Sequence, residues 1–189
     1  MWLPAVERRK PRPQHVLPCM LGPFGMGEPE QTGDDFYTNP IVIDAAWELM
    51  GGIDLDPASH PIANKTVRAT RFFQRIDNGL QYPWSGRVWL NPPFSEWSQW
   101  VGKTLNEWAS GRITEMCVLA AMRTLSAQYF APLLEGCDAM CIIRGRLKFG
   151  GKAGDSPDDG HATFYFGTRP SEFRRCFRDL GSVFYGSKP

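Results

Sequence analysis

The sequence predicts an α/β fold, with a mainly parallel β-sheet covered by helices on both faces and an antiparallel pair of strands late in the chain. Strand-like and helix-like segments alternate along most of the length, which favours parallel strands joined by helical crossovers. Residues 116–122 are almost continuously apolar, which is typical of a strand buried on both faces. Two later strand-like segments flank a Gly- and Asp-rich loop at residues 150–161, which indicates the antiparallel pair.

The chain has 189 residues, enough for one domain with a substantial core. Its formal net charge of +1 gives no global attraction to nucleic acid or membrane, so any such binding must come from local patches. No stretch resembles a signal peptide or a membrane-spanning segment, and we expect a cytoplasmic protein. The cysteines form no CxxC pair, which indicates free thiols and no metal site.

The two ends of the chain differ in character. Residues 1–33 are rich in Pro and Gly and have a basic cluster at residues 8–12 but no periodic apolar face. We predict an irregular arm over residues 1–33 and a folded domain over residues 34–189. The basic cluster either contacts phosphates or is simply solvated.

The first half of the domain begins with a helix. Residues 38–40 supply a cap and a proline for the first turn, apolar residues then recur at helical spacing, and Gly51-Gly52 ends the helix. A short strand at residues 53–56 ends at Pro57. Residues 58–87 show no clear pattern beyond a possible strand at 71–74 and a turn at 77–79.

The second half alternates regularly between strands and helices. The predicted strands are residues 88–90, 116–122, 139–143, 146–149, 162–166 and 182–185. The predicted helices are residues 95–111, capped by Ser95 and closed by Gly111, then 125–135 and 171–180, the last with a serine cap.

Unusual polar groups follow two of the predicted strands. Asp54-Leu55-Asp56-Pro57-Ala58 ends the first strand, and Asn91-Pro92-Pro93-Phe94 follows the strand at 88–90. In an open parallel sheet ligands collect at the carboxyl ends of the strands, and a right-handed crossover can make these two strands neighbours. The sequence therefore predicts a binding site at this edge of the sheet.

The second of these corners has the chemistry to bind an aromatic amine. Asn91 offers an acceptor and a donor, the two prolines donate nothing and leave a backbone carbonyl as an acceptor, and Phe94 supplies a flat apolar face. Two acceptors beside a ring suit a planar base with an exocyclic NH2, whose lone pair is freed for attack when both hydrogens are held. The alternative is that these residues only form a rigid turn leading into a helix.

The corner resembles the [D/N/S]PP[Y/F/W] motif of amino-methyltransferases that use S-adenosylmethionine. Over roughly residues 34–166, the chain is similar to the compact phage-type DNA N6-adenine methyltransferases of the Dam family. Four segments carry the resemblance in order: residues 36–40 (aromatic-Thr-x-Pro), 54–58 (Asp-rich first strand), 77–80 with Trp84 (Asp-x-Gly-Leu and Trp), and 89–94.

The resemblance implies a Rossmann-like (class I methyltransferase) sheet and S-adenosylmethionine as the cofactor. The stretch from Asp56 to Asn91 is too short for two full strand-helix units, which indicates that the sheet is trimmed on that side. The resemblance also implies that Asp54 or Asp56 attracts the ammonium group of the cofactor and that Asp77 accepts from its adenine amine, although these aspartates could instead serve the strand end and the turn. The glycine-rich GxG that many such enzymes place after the first strand is absent. The residues implied for the cofactor are Tyr37, Thr38, Pro40, Asp54, Asp56, Pro57, Ala58 and Asp77.

The implied substrate is an adenine flipped out of double-stranded DNA. Asn91 and the Pro92 carbonyl would hold its amine and Phe94 would stack on its ring, so that Asn91, Pro92, Pro93 and Phe94 form the catalytic corner without a metal. For DNA contacts the candidates are Arg123 and three basic residues around the late hairpin, Arg144, Arg146 and Lys148, unless that hairpin is only solvated.

Other functions remain open at this point. The amine acceptor could belong to RNA or to a protein glutamine, although a glutamine has no ring to stack. The chain could also be a catalytically silent DNA-binding module that keeps the fold. No obligate protein partner is evident from the sequence.

Overall fold

A seven-stranded sheet runs through the described part of the chain. The computed structural model describes residues 38–122, 130–145, 147 and 160–186, without the side chains of Phe94 and Phe130. The strands are β1 (Leu55–Asp56), β2 (Arg71–Phe72), β3 (Gly86–Leu90), β4 (Ile113–Ala121), β5 (Ala139–Ile143), β6 (His161–Phe166) and β7 (Gly181–Tyr185). The helices are α1 (Pro40–Met50), α2 (Pro61–Val67), α3 (Trp97–Ala109), α4 (Phe130–Gly136) and α5 (Pro170–Phe177).

The sheet changes from parallel to antiparallel across its width. Its strand order is β2-β1-β3-β4-β6-β5-β7, with parallel pairing from β2 to β4 and antiparallel pairing of β6 with β4 and β5 and of β5 with β7. This confirms the predicted Rossmann-like α/β fold with late antiparallel strands. The predicted pairing of residues 162–166 with residues 146–149 was wrong, because β6 pairs with β4 along one edge and with β5 along the other.

Helices cover both faces of the sheet, and β4 shows why. Its alternate side chains enter two different cores: Cys117 and Leu119 pack with α1 and α5, whereas Met116, Val118 and Ala120 pack with α3 and α4. A strand buried on both faces has a continuous run of apolar residues, and this pattern in the sequence predicted the strand at residues 116–122.

Helix boundaries agree with the sequence where a side chain caps them. The Asn39 side chain accepts from the Ile41 amide at 3.1 Å, Pro40 occupies the first turn, and Gly51 closes α1 in the left-handed conformation with φ 71°. The predicted serine caps were wrong: α3 begins after a 3₁₀ turn (Phe94–Glu96) with Glu96 at its N-cap, and α5 has Arg169 there.

Several predictions lie outside the described residues. These are the arm at residues 1–33, most of the strand at residues 146–149, and residues 125–129 of a predicted helix. Among the described helices, none combines the length and the apolar character needed to cross a bilayer.

Candidate active site

A cavity of about 330 Å³ opens at the carboxyl ends of β1 and β3. Asp56 and Ala58 line it from the end of β1, and Asn91 and Pro93 line it from the end of β3. The two strands are parallel neighbours, with Leu55 paired to Val88, so their carboxyl ends meet at one edge of the sheet. The structure thus brings the two polar strand ends to the same cavity.

Further walls of the cavity come from three segments. Residues 78–80 close the side beyond β1, the residues around α2 contribute His60, and α3 contributes Gln99 and Trp100. The Gly79 backbone lies against the loop at the end of β1 (residues 56–58, the first-strand loop), so closely that a Cβ at Gly79 would be 2.0 Å from the Pro57 carbonyl oxygen. The Gly79 carbonyl also accepts from Trp84 Nε1 at 2.9 Å, which fixes this wall to the core.

The side-chain amide of Asn91 is held by a hydrogen bond. Its Nδ2 donates to Thr38 Oγ1 at 3.0 Å, and Thr38 also lines the cavity. Thr38 is buried and immediately precedes the cap of α1, so its position is set by the start of that helix.

The two prolines shape the corner after β3. Pro92 is buried, and Pro93 is half-buried and faces the cavity. The Pro93 carbonyl accepts from the Glu96 amide at 3.3 Å, which starts the turn into α3. The corner therefore leaves the sheet and enters a helix within six residues, and it presents Asn91 at the point of departure.

Asp56 is a buried carboxyl group in the cavity wall. It is 2% exposed, and Oδ1 accepts from the Ala58 amide at 3.2 Å. Burial raises the pKa of this carboxyl group to about 7, opposed in part by the nearby Ser59 hydroxyl and the Ala58 amide. Among the described residues, no Lys or Arg forms an ion pair with Asp56, so a cationic ligand would meet an uncompensated acid.

Asp54 is placed differently from Asp56. Its carboxylate is bound by Arg87, whose Nη2 lies 2.6 Å from Oδ1, and it does not line the cavity. The hydrogen bond from the Arg87 side chain is the largest cause that lowers the pKa of Asp54. Of the two acids that the resemblance offered for a cofactor ammonium, the geometry brings only Asp56 to the site.

Other residues implied for the cofactor also lie apart from the cavity. Pro40 is exposed at the start of α1, and Pro57 is buried within the first-strand loop, and neither lines the cavity. Asp77 is exposed, and its Oδ2 accepts from the Gln74 amide at 2.8 Å, so it stabilises the turn. Tyr37 is outside the described residues.

The structure adds lining residues that the sequence did not single out, among them His60, Arg75, Glu96 and Gln99. His60 caps α2, where its Nδ1 accepts from the Ile62 amide at 3.2 Å. In the neutral ring this places the proton on Nε2. No periodicity in residues 58–70 marked this helix, so no signal pointed to His60.

Two buried polar atoms belong to residues that line the cavity. The indole nitrogens of Trp89 and Trp100 have no hydrogen-bond partner within the described part of the chain. Buried polar groups in proteins are normally paired. Together with Asp56, these residues give the cavity a lining suited to a ligand that carries both charge and hydrogen-bonding groups.

One of the predicted DNA contacts is described by the structure. Arg144 is exposed directly after β5, which runs in the same direction as β4 because both are antiparallel to β6. Arg144 therefore lies at the same edge of the sheet as the cavity. The other candidates, Arg123, Arg146 and Lys148, fall outside the described residues.

In the part of the chain that the structure describes, no group of three or more His, Cys, Asp or Glu residues could hold a metal ion.

Comparison with known proteins gives one family. No curated protein matches the sequence significantly. A family model described as DNA N-6-adenine-methyltransferase (Dam) matches residues 27–165, well over half of the chain and the whole of the cavity lining.

Proposed function

The chain belongs to the DNA N-6-adenine-methyltransferase (Dam) family, and we propose that it transfers a methyl group from S-adenosylmethionine to the N6 amine of an adenine flipped out of double-stranded DNA. One observation carries the proposal: Asn91 and Asp56, at the carboxyl ends of neighbouring parallel strands, line one cavity. Asn91 is suited to bind an amine that accepts the methyl group, and Asp56 is suited to bind a cationic methyl donor.

The residues of the cavity fit the proposed cofactor. Asp56 would pair with the ammonium group, Ala58 would pass along the methionine part, and residues 78–80 would border the adenine. When bound, S-adenosylmethionine supplies an electrophilic methyl group on a sulfonium. The protein contributes the buried acid Asp56 and the unpaired indole nitrogens of Trp89 and Trp100, polar groups that would replace part of the water around a charged ligand.

The corner after β3 would hold the target amine. The Asn91 side-chain oxygen and the Pro92 carbonyl would each accept one hydrogen of the N6 amine, which draws its lone pair out of conjugation with the ring. The Phe94 ring, proposed from the motif alone, would stack on the flipped base. Catalysis would then rest on positioning and preorganised polarity, without a covalent enzyme intermediate or a metal.

The DNA backbone would be held by basic groups around the late strands. Arg144 has the exposure and the position for a phosphate contact, and Arg123, Arg146 and Lys148 are proposed from the sequence. We also propose that residues 34–189 form the catalytic domain in the cytoplasm, with residues 1–33 as an additional basic arm.

The deciding experiment incubates the protein with methyl-labelled S-adenosylmethionine and an adenine-containing duplex, followed by digestion and base analysis. The expected product is labelled N6-methyladenine. In matched reactions the adenine-containing duplex is replaced by a duplex of guanine and cytosine alone, by an RNA of the same sequence, or by a protein as the methyl acceptor. Label in RNA or in protein glutamine, with none in N6-methyladenine, would overturn the proposal.

A further inference from the structure

Thr38 contacts a residue that follows it by 53 positions in the chain. Asn91 Nδ2 donates to Thr38 Oγ1 at 3.0 Å, and both residues line the cavity. Thr38 is 6% exposed, so its hydroxyl group is removed from most competition by bulk water. The resemblance placed Thr38 beside the cofactor, whereas the structure connects it to the amide proposed to hold the target base.

The orientation of the Asn91 amide decides whether it can bind an amine. A carboxamide has an oxygen that accepts and a nitrogen that donates, and rotation by half a turn exchanges them with little change of shape. Only the oxygen can accept from an exocyclic NH2, because the amide nitrogen would set donor against donor. With Nδ2 engaged by Thr38, the Oδ1 branch of the same amide points away from that contact.

We propose that Thr38 is a positioning residue for the methyl transfer: its hydroxyl oxygen holds the Asn91 amide in the orientation in which Oδ1 accepts from the target amine. This inference rests on the proposed function, since it requires an amine at Asn91. It also gives Thr38 a task that does not depend on contact with the cofactor.

The anchor is rigid enough for this task. Thr38 directly precedes Asn39, whose side chain caps α1, and α1 is fixed in the core by the fully buried Val42 and Ile43. A positioning contact must be held within a fraction of an ångström to be effective. The start of a well-packed helix meets that requirement better than a loop would.

The test compares two substitutions at Thr38. Thr38→Val keeps the shape of the side chain and removes the acceptor, whereas Thr38→Ser keeps the acceptor and removes a methyl group. The measured quantities are the single-turnover rate constant for N6-methyladenine formation at saturating cofactor and DNA, and the Kd of each ligand. We expect Thr38→Val to lower the rate constant by about 10- to 100-fold, with both Kd values within about threefold of wild type. In Thr38→Ser, we expect the rate constant and both Kd values to stay within about threefold of wild type.

A second comparison separates positioning from simple loss of structure. If Thr38 acts through Asn91, adding Thr38→Val to an Asn91→Ala protein lowers the remaining rate by less than about twofold. In the protein without ligands, the Asn91 side-chain NH2 signals in a ¹⁵N–¹H spectrum shift in Thr38→Val and stay in place in Thr38→Ser.

The failures of the two proposals are distinguishable. A wild-type protein that forms no N6-methyladenine overturns the proposed function, and this inference with it. If wild type forms N6-methyladenine but Thr38→Val forms it equally fast, only the positioning role of Thr38 is overturned. The same holds if Thr38→Val weakens cofactor binding while the saturated rate constant is unchanged, because Thr38 is then only a cofactor contact.

Discussion

Arg87 donates three hydrogen bonds to the carboxylate of Asp54. The backbone amide and Nε of Arg87 lie 2.8 and 2.9 Å from Oδ2, and Nη2 lies 2.6 Å from Oδ1. Nη1 of the same guanidinium donates to the Gly51 carbonyl at 2.8 Å, at the end of α1. The pair therefore joins α1, β1 and β3 at the amino ends of these strands, and the cavity lies at their carboxyl ends.

Asp54→Asn is expected to destabilise the protein without changing the chemistry of the cavity. The substitution removes a charge-assisted pair that is about one-third exposed, so the loss should be about 1–2 kcal/mol, below that of a fully buried pair. Urea unfolding at pH 7 measures it. The control is Asp179→Asn, since Asp179 is 91% exposed and 3.9 Å from Arg178; equal effects of the two substitutions would contradict the structural role of Asp54.

The contribution of the Asp54–Arg87 pair to the free energy of unfolding depends on pH. Because folding lowers the pKa of Asp54 from its ordinary value of 3.8, the contribution of the pair to stability is fully present above that value and is lost as the pH falls through the lower folded pKa. The difference in unfolding free energy between wild type and Asp54→Asn should therefore shrink only in strong acid.

Gly79→Ala is expected to disturb the wall between the first-strand loop and residues 78–80. A Cβ at Gly79 would meet the Pro57 carbonyl oxygen at 2.0 Å, which forces the backbone apart. We expect a loss of about 1–3 kcal/mol in unfolding free energy and a weaker affinity for S-adenosylmethionine by calorimetry. Gly102→Ala is the matched control, because a Cβ at that exposed helical position meets nothing within 4 Å and should stabilise α3 by about 0.5–1 kcal/mol. Equal behaviour of the two variants would count against the close approach at Gly79.

The sequence predicted those parts of the fold in which local chemistry and tertiary environment agree. The helix α1 has a side-chain cap, a proline in the first turn and a terminal glycine, and the structure uses all three. The strand β4 is apolar throughout because it faces two cores. In both cases the residues alone determine the element.

The parts that could not be predicted depend on contacts between distant segments. The helix α2 has only one buried residue, Val67, so it has no apolar periodicity to detect. Asp54 and Asp56 are equivalent in sequence, and only the position of Arg87 33 residues later takes one of them out of the site. The Thr38–Asn91 bond likewise joins segments that no local pattern relates.

Asp56 should give stability and cofactor binding opposite responses to pH. Its folded pKa of about 7 lies above the ordinary value of 3.8, so the folded protein holds more protons than the unfolded chain between those values. Without cofactor, stability should fall as the pH rises from about 4 to 7, by roughly 4 kcal/mol at most. Affinity for the cationic cofactor should rise over the upper part of the same range, because the carboxylate is then ionised.

Asp56→Asn tests both arms of that prediction. The variant should lose the decline in stability between pH 4 and 7 and should unfold at higher urea concentration than wild type at pH 8. It should also bind S-adenosylmethionine more weakly at pH 8, since the charge partner is gone. Asp44→Asn, on the exposed face of α1, is the control. Unchanged cofactor affinity in Asp56→Asn would remove Asp56 from the proposed site.

Asn91→Ala should abolish methyl transfer while leaving ligand binding largely intact. The substitution removes the oxygen proposed to accept from the target amine, and the buried partner Thr38 keeps its place at the start of α1. We expect the single-turnover rate constant to fall by about 100-fold or more, with the Kd for cofactor within about threefold. Asn91→Ser, which keeps a smaller acceptor, should retain more activity than Asn91→Ala. The matched control is Asn106→Ala on the exposed side of α3, away from the cavity, which should leave the rate unchanged. An Asn91→Ala protein that folds and turns over at the wild-type rate would show that the amide does not hold the reacting amine.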